Sequence, residues 1–330
     1  MKVLFLVQGF TVAASRYRVL QYIPYLKEQG IEATVSLYPR NPLEIMSFLG
    51  KLPGYDCLFL QRKRFRGPLL ALVRKRARKI IYDFDDSVMY RNSKAGSPYS
   101  RTRMRRFADM VKASDFVIAG NRFLMEQTVP FTKKVDVLPT ALDAERYIAK
   151  DYNKSKERVT IGWIGDHGSI HYMEKMKPIF ENIGRLHPQA ELSIVCDVFI
   201  DCTDIPVIKK PWSHETEITD LCDMDIGLMP LMNDLWSEGK CGLKILQYFG
   251  VAVPAVCTPV GVNKDVVKDG VTGFYANTPD EWVDRLSKLI ENADLRRQMG
   301  ERGREVIMKD YTIQACAPRL LDILDKTVKA

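Results

Sequence analysis

Two stretches of this 330-residue chain gather side chains whose types and spacing can do chemistry. The first is Lys240-Cys241-Gly242-Leu243-Lys244-Ile245-Leu246-Gln247-Tyr248-Phe249-Gly250-Val251-Ala252-Val253-Pro254. Gly242-Leu243 opens a short helix, Gly250 ends it, and a buried strand follows. The first N–H groups of a helix have no partner inside it and sit at the positive end of its dipole, so this start can bind a phosphate. Lys240 and Lys244 bracket the helix start, and one turn separates Lys244 from Gln247 and Tyr248. The second stretch is Tyr82-Asp83-Phe84-Asp85-Asp86-Ser87, three carboxylates at the end of an apolar strand. Such a cluster is costly unless a cation or a proton offsets it.

The elements that must hold these groups are legible as an alternation of short Val- and Ile-rich runs with amphipathic stretches, the pattern of parallel strands joined by crossover helices. The fold class is α/β. In the first half the runs predict strands at Lys2–Val7, Glu32–Ser36, Asp56–Gln61, Lys79–Asp83, Asp115–Ala119 and Val135–Pro139. Tyr17–Leu26 predicts a helix with Val19, Tyr22, Ile23 and Leu26 on one stripe. Residues 149–158 are polar and read as a linker. Beyond them, strands are predicted at Val159–Ile164, Ala190–Cys196, Pro206–Lys209, Asp225–Leu228 and Ala252–Cys257, with helices near Pro279–Glu291, Asp294–Lys309 and Thr312–Val328. This predicts two doubly wound sheets facing across a cleft, with ligands outside the carboxyl ends of the strands. Gly9, Asp83, Gly165 and Asp166 all fall at such ends.

Composition narrows the class. Hydrophobic residues at 46% and charged residues at 27% describe an ordinary globular chain and exclude disorder or a fibre. No apolar run approaches the ~18 residues of a spanning helix. The run Met1–Val7 is shorter than a signal-peptide core and suits a first strand. Seven cysteines stand singly without a Cys-x-x-Cys, against a disulfide framework or zinc knuckle, so a cytoplasmic setting is expected. The net charge of +8 is uneven: residues 1–150 hold 27 Lys and Arg against 13 Asp and Glu, and the remainder 22 against 28. The excess concentrates in Arg62-Lys63-Arg64-x-Arg66, Arg74-Lys75-Arg76-x-Arg78-Lys79 and Arg101-x-Arg103-x-Arg105-Arg106, which would attract phosphates or anionic lipid headgroups. No reader motif for nucleic acid accompanies them, and nucleic acid is not expected as a partner.

The 240–256 stretch resembles the donor-site signature of family 4 (group 1) retaining glycosyltransferases of the GT-B fold. Thr258-Pro259-Val260-Gly261-Val262-Asn263 and Val267-Lys268-Asp269-Gly270-Val271-Thr272-Gly273-Phe274 resemble the family's following run, as does Leu295–Val306 with Arg296-Arg297-Gln298-Met299-Gly300-Glu301-Arg302-Gly303-Arg304. Met1–Phe10 with Arg16–Gly30, Ser114–Leu124 and Ile161–Gly165 resemble its strand ends. The resemblance implies two Rossmann-like domains: an acceptor-binding domain at 1–150, a nucleotide-sugar-binding domain at 151–311, and a terminal helix at 312–330 returning to the first. Of the family's Glu-x7-Glu pair, the second position, which contacts the ribose, falls on Gln247. The first, beside the donor sugar, falls on Gly239, with Glu238 one residue away. The family's usual Arg and Lys for the donor diphosphate are absent after Gly165, where Asp166-His167-Gly168-Ser169 stands instead. Lys240, Lys244 and the helix start at Gly242-Leu243 are expected to replace them, with Lys210 and Trp212 beside the nucleotide base.

The expected function is transfer of a sugar from a nucleotide-sugar donor to a glycan or lipid-linked acceptor, with retention, in cell-surface polysaccharide or glycoconjugate synthesis. Glu238, Asp85 and Asp86 are the expected catalytic residues; Gly9, Arg16 and Asp83 are expected on the acceptor side. No metal or resident cofactor is expected. The basic first domain would touch an anionic membrane, at its inner face, peripherally. Two alternatives stand beside this. Asp83-Phe84-Asp85-x-Ser87 resembles the first motif of haloacid dehalogenase phosphatases, which would make Asp83 and Asp85 a magnesium-dependent centre, and also the Asp-x-Asp metal motif of GT-A transferases. The altered Glu pair also fits a relative that binds a nucleotide sugar without turnover. His167 and His171 have the i, i+4 spacing of a metal pair but no third ligand nearby, and read as a helix-start pair without metal.

Overall fold

The structure, a computed structural model, describes residues 1–154 and 156–330; Ser155, inside the predicted linker, lies outside the described residues. The chain forms two compact units. The first comprises Met1–Ala141, Asp234–Cys241 and Ile313–Ala330, and the second Leu142–Asn233 and Gly242–Thr312.

The first unit is built on six parallel strands: β1 (Lys2–Val7), β2 (Glu32–Leu37), β3 (Cys57–Gln61), β4 (Ile80–Phe84), β5 (Phe116–Ala119) and β6 (Val135–Val137), in spatial order β2-β1-β3-β4-β5-β6. β1 pairs with β2 on one side and β3 on the other, so the winding reverses between β1 and β3. Helices cover both faces, which is why β1, β3 and β4 are near-continuous apolar runs. Alternation assigns their residues to two cores. Leu4, Leu6, Leu58, Leu60, Tyr82 and Phe84 pack one face. Val3, Phe5, Val7, Phe59 and Ile81 pack the other, against Ile313, Cys316, Leu320 and Leu324 of the terminal helix Ile313–Lys329.

The second unit repeats the plan with β7 (Val159–Ile164), β8 (Ala190–Cys196), β9 (Val207–Pro211), β10 (Ile226–Met229), β11 (Ala255–Cys257) and β12 (Gly273–Tyr275), in order β12-β11-β10-β7-β8-β9. The winding reverses between β7 and β10. Ile161, Trp163, Ile194 and Leu228 pack with Phe180, Trp282 and Leu286 in its core.

Two expectations are corrected. The helix expected over Tyr17–Leu26 is two helices, Ala13–Arg18 and Ile23–Glu28, joined by a 3-10 turn at Leu20–Tyr22. Pro24 lacks the N–H a continuous helix would use but is tolerated in a first turn. The passage between units falls at Ala141–Leu142, before the polar 149–158 stretch, and Asp234–Cys241 belongs to the first unit. β12 was not foreseen, because its three residues are too short to show a period.

Candidate functional site

In the first unit the carboxyl end of β4 carries Asp83, Asp85 and Asp86, and the three have different fates. Asp83 is fully buried and forms an ion pair with Arg18, itself 1% exposed, whose Nη1 also donates to the Leu138 carbonyl at 2.6 Å. The acceptor-side role expected of Asp83 is therefore corrected: its oxygens face a core arginine. Arg18 is the buried cation of the first helix. The half-buried Arg16 lies with its guanidinium carbon 5.0 Å from the Tyr17 ring centre.

Asp86 is buried and accepts from Arg62 and, at 2.8 Å, from Lys240 Nζ. Arg62 adopts φ 63°, a left-handed conformation unusual for a non-glycine residue, right after β3. Asp85 is half-buried, and its Oδ1 is shielded from water with no hydrogen-bond partner among the described residues. Burial raises the Asp85 carboxyl from its ordinary value, with Arg62, Arg18 and Lys240 pulling against it and Asp86 adding to it. A carboxyl so poised can exchange a proton nearer neutrality than a free aspartate.

The segment Asp234–Cys241 is fastened to this cluster through its backbone. Ser87 Oγ donates to the Leu235 carbonyl at 2.7 Å. Asn121 Nδ2 reaches the carbonyls of Glu238 and Lys240, each at 3.1 Å, and Cys241 Sγ–H donates to the Asp85 carbonyl at 3.3 Å. Glu238, half-buried, ends the four-residue helix Leu235–Glu238. Lys240 Nζ lies 4.8 Å from the Trp236 ring centre. A Cβ at Gly239 would run into Ser87 Oγ, so the position matching the family's first acid has no room for a side chain. Gly9, half-buried in the loop after β1, does not have a left-handed φ, and a Cβ there would come 3.0 Å from Val12.

In the second unit the helix Leu243–Gly250 is anchored where the winding reverses. Pairing of β7 with β10 stops at Gly162 and Gly227. The Tyr248 hydroxyl then enters, accepting from the Ile164 N–H at 3.3 Å and donating to the Leu228 carbonyl at 3.1 Å. It satisfies the two backbone groups that the parting strands release. Gly227 makes room, since a Cβ there would strike the Tyr248 ring. Gly242, with φ 67°, turns the chain into this helix, and the half-buried Leu243 and Lys244 form its first turn. Lys244 Nζ lies 5.5 Å from the Trp163 ring centre. Gly165 lets Trp163 lie against the backbone after β7, where a Cβ would meet the indole.

Gln247 is buried and its Nε2 donates to Tyr147 Oη at 3.2 Å. Behind it, Glu217, 1% exposed, accepts from Tyr147 Oη at 3.4 Å and from Trp212 Nε1 at 3.0 Å, with Arg146 Nη2 at 3.4 Å. Glu217 is a network centre that no motif flagged; Trp212 is its half-buried partner. Lys210 departs from the expected donor role: its Nζ sits 2.9 Å from Asp220 and 2.8 Å from Asp223, which offset its charge. Asp166 is exposed, and its backbone N–H donates to Ser169 Oγ at 3.3 Å. His167 precedes the helix Ile170–Leu186 and bonds Asp197 at 2.6 Å, while His171 lies in its first turn. Among the described residues no group of three or more His, Cys, Asp or Glu is arranged to hold a metal ion, and no helix is long and apolar enough to cross a membrane.

Two Rossmann-like units, with a helix start and lysine at the winding reversal of the second, define a GT-B α/β fold. The family described as glycosyl transferases group 1 matches residues 215–306, which include this helix. The chain is 24% identical over 318 residues to N-acetyl-alpha-D-glucosaminyl L-malate synthase of Bacillus anthracis, covering 91% of this chain and 79% of that one. Among solved structures, HepE of Anabaena in complex with UDP-glucose superposes with a TM-score of 0.74 at 14% identity, covering 99% of this chain and 100% of that one. Sucrose-phosphate synthase of Thermosynechococcus elongatus gives 0.74 at 11% identity, covering 98% of each. The family match speaks against the phosphatase alternative, and the buried Asp83–Arg18 pair is its physical obstacle.

Proposed function

We propose that the second unit binds a nucleotide-sugar donor and the first unit the acceptor, a glycan or lipid-linked glycan, and that the sugar is transferred with retention in the making of a cell-surface polysaccharide or glycoconjugate. The observation that carries this is the Tyr248 wedge, which fixes the start of the Leu243–Gly250 helix and Lys244 at the carboxyl ends of β7 and β10. Phosphates bind at such a position through free N–H groups and a cation, and the same groups stabilise a departing diphosphate without a resident metal. HepE, of the same fold, was crystallised with UDP-glucose, which makes a nucleotide sugar the first donor class to try.

Gln247, held by Tyr147, is assigned to the ribose hydroxyls, and Gly165 and Gly242 to close backbone approach. Trp212 borders the base. Asp85 and Asp86 are assigned to the acceptor, Asp85 as the group that takes its proton. Glu238 is assigned to the sugar in place of the acid that cannot stand at 239. Lys240, paired with Asp86, offsets that carboxylate's charge. The protein acts from the inner face of the membrane as a peripheral enzyme.

The test is release of free nucleotide and of a glycosylated product, followed by mass spectrometry, with UDP-, GDP-, ADP- and dTDP-sugars against glycan and lipid-linked acceptors. A product from one donor class that falls at least tenfold in Asp85→Asn supports the reading. Donor binding without any product across the acceptor panel would favour the alternative of a non-catalytic nucleotide-sugar-binding relative.

A further inference from the structure

The three basic runs of the first half do not share one fate. In the middle run two of the five cations are paired within the fold, Arg74 with Asp115, and Arg78 with Asp56 at 2.9 Å. In the first run Arg62 belongs to Asp86. Among the described residues, no ion pair engages Arg64, Arg66, Arg103 or Arg106.

Yet Arg64 and Arg103 are drawn to one place. Arg64 Nη1 donates to the Val88 carbonyl at 3.0 Å and to the Arg103 carbonyl at 3.3 Å, and Arg103 Nη1 donates to the Tyr90 carbonyl at 3.0 Å. The loop after β3, the loop after β4 and the helix Arg101–Ala113 are thereby tied together by guanidinium groups on neutral carbonyls. Such bonds fix position and leave the positive charge uncompensated. Burial, followed among the cations by Arg103, Arg106 and Arg66, lowers the Arg64 guanidinium from its ordinary value, so like charges do face one another here. The place is also significant: both loops leave the carboxyl ends of strands, where ligands of open α/β sheets bind, on the same rim as Asp85 and Asp86. Arg66 follows Arg64 by two residues, and Arg106 stands one turn from Arg103 on the helix Arg101–Ala113; guanidinium forks match phosphate oxygens.

We propose that Arg64, Arg66, Arg103 and Arg106 bind a phosphate or diphosphate group of the acceptor, making the acceptor a phosphorylated molecule. This rests on the assignment of the acceptor to the first unit and names its chemical class. The phosphate has two sources, a soluble phosphate ester or a lipid headgroup in a bilayer, and the experiment has an arm for each.

The full chain carrying Lys244→Ala, which disables the proposed donor site, is titrated with inorganic pyrophosphate and, separately, with phosphatidylglycerol vesicles against phosphatidylcholine vesicles. Arg66→Gln/Arg103→Gln is added as the test, with Arg64→Gln/Arg106→Gln as a second pair should the first misfold. Lys133→Gln/Lys134→Gln, removing two exposed cations elsewhere on the unit, is the charge-matched control. Pyrophosphate binding that falls at least tenfold in an arginine pair and stays within twofold in the control supports the proposal with a soluble ester as source. Binding to phosphatidylglycerol vesicles alone, lost in the same pair, supports it with a headgroup as source. No binding of either probe, or equal losses in the arginine and lysine pairs, overturns it. Donor binding by the Lys244-intact protein is measured in parallel, so failure of the phosphate site and failure of the donor reading are read separately.

Discussion

Gly239 lies against Ser87, with no space for even one carbon between its α-carbon and the serine hydroxyl. Ser87 is fully buried and its hydroxyl is engaged with the Leu235 carbonyl, so it cannot swing away cheaply. Gly239→Ala is expected to cost about 1–3 kcal/mol through overpacking. Ser87→Gly in the same chain should return part of that loss in a double-mutant cycle by chemical denaturation. Additive losses would mean the two positions do not meet. Gly239→Glu, which restores the family's acid by type, is expected to destabilise further and not to raise activity.

The Arg18–Asp83 pair is buried on both sides. Removing one partner strands the other charge in the core, and Asp83→Asn is expected to cost about 3–5 kcal/mol. Arg18→Met/Asp83→Leu, which removes both charges, should cost less than either single change. Unfolding of the four proteins in urea checks this; a single-mutant loss below about 1 kcal/mol would contradict burial of the pair.

Asp85 gives a pH signature. Its carboxyl is raised above the ordinary aspartate value of 3.8, chiefly by burial. Ionising it therefore costs more in the folded protein than in the unfolded chain. Its contribution to stability is fully present below the ordinary value and declines as pH rises through the raised one. Asp85→Asn does not titrate, so the melting temperature of the variant minus that of the wild type should grow from about pH 4 to about pH 8. A flat difference would show that the carboxyl is not perturbed.

Trp212→Phe keeps an aromatic ring, smaller than the indole, and deletes the N–H that reaches Glu217. With one charge-assisted hydrogen bond lost at a buried carboxylate, about 1.5–3 kcal/mol of stability should go. If Glu217 and Tyr147 also position Gln247, the donor KM rises in this variant while kcat changes little. Steady-state kinetics separate the two effects.

Much of the scaffold is legible in the residues. β1, β7 and β8 and the helix Pro279–Glu291 have the bounds their patterns predict, because strands buried on both faces must be apolar throughout and Thr278 with Glu281 forms a capping box. The less legible parts depend on partners distant in sequence. Arg18 is a core residue only because Asp83, 65 positions away, meets it, and nothing local separates it from Arg16. Glu217 reads as a surface acid until Tyr147 and Trp212 close over it. Asp234–Cys241 joins the first unit through backbone carbonyls caught by Ser87 and Asn121, and carbonyls carry no sequence signal. The departures from the family pattern were visible; the reason for one of them, the lack of space at 239, was not.

In the proposed function, Lys244 and the helix start beside it hold the phosphates of a nucleotide-sugar donor. The direct measurement is a thermal-shift panel of UDP-, GDP-, ADP- and dTDP-sugars on wild type and Lys244→Ala. A ligand at about a hundredfold over its Kd adds about 2.7 kcal/mol, enough to register clearly. One nucleotide class should stabilise the wild type and lose most of its effect in the variant, matching a ten- to hundredfold weaker Kd for a lost charge-assisted contact. Stabilisation by no nucleotide sugar, or by the same amount in both proteins, would contradict the claim.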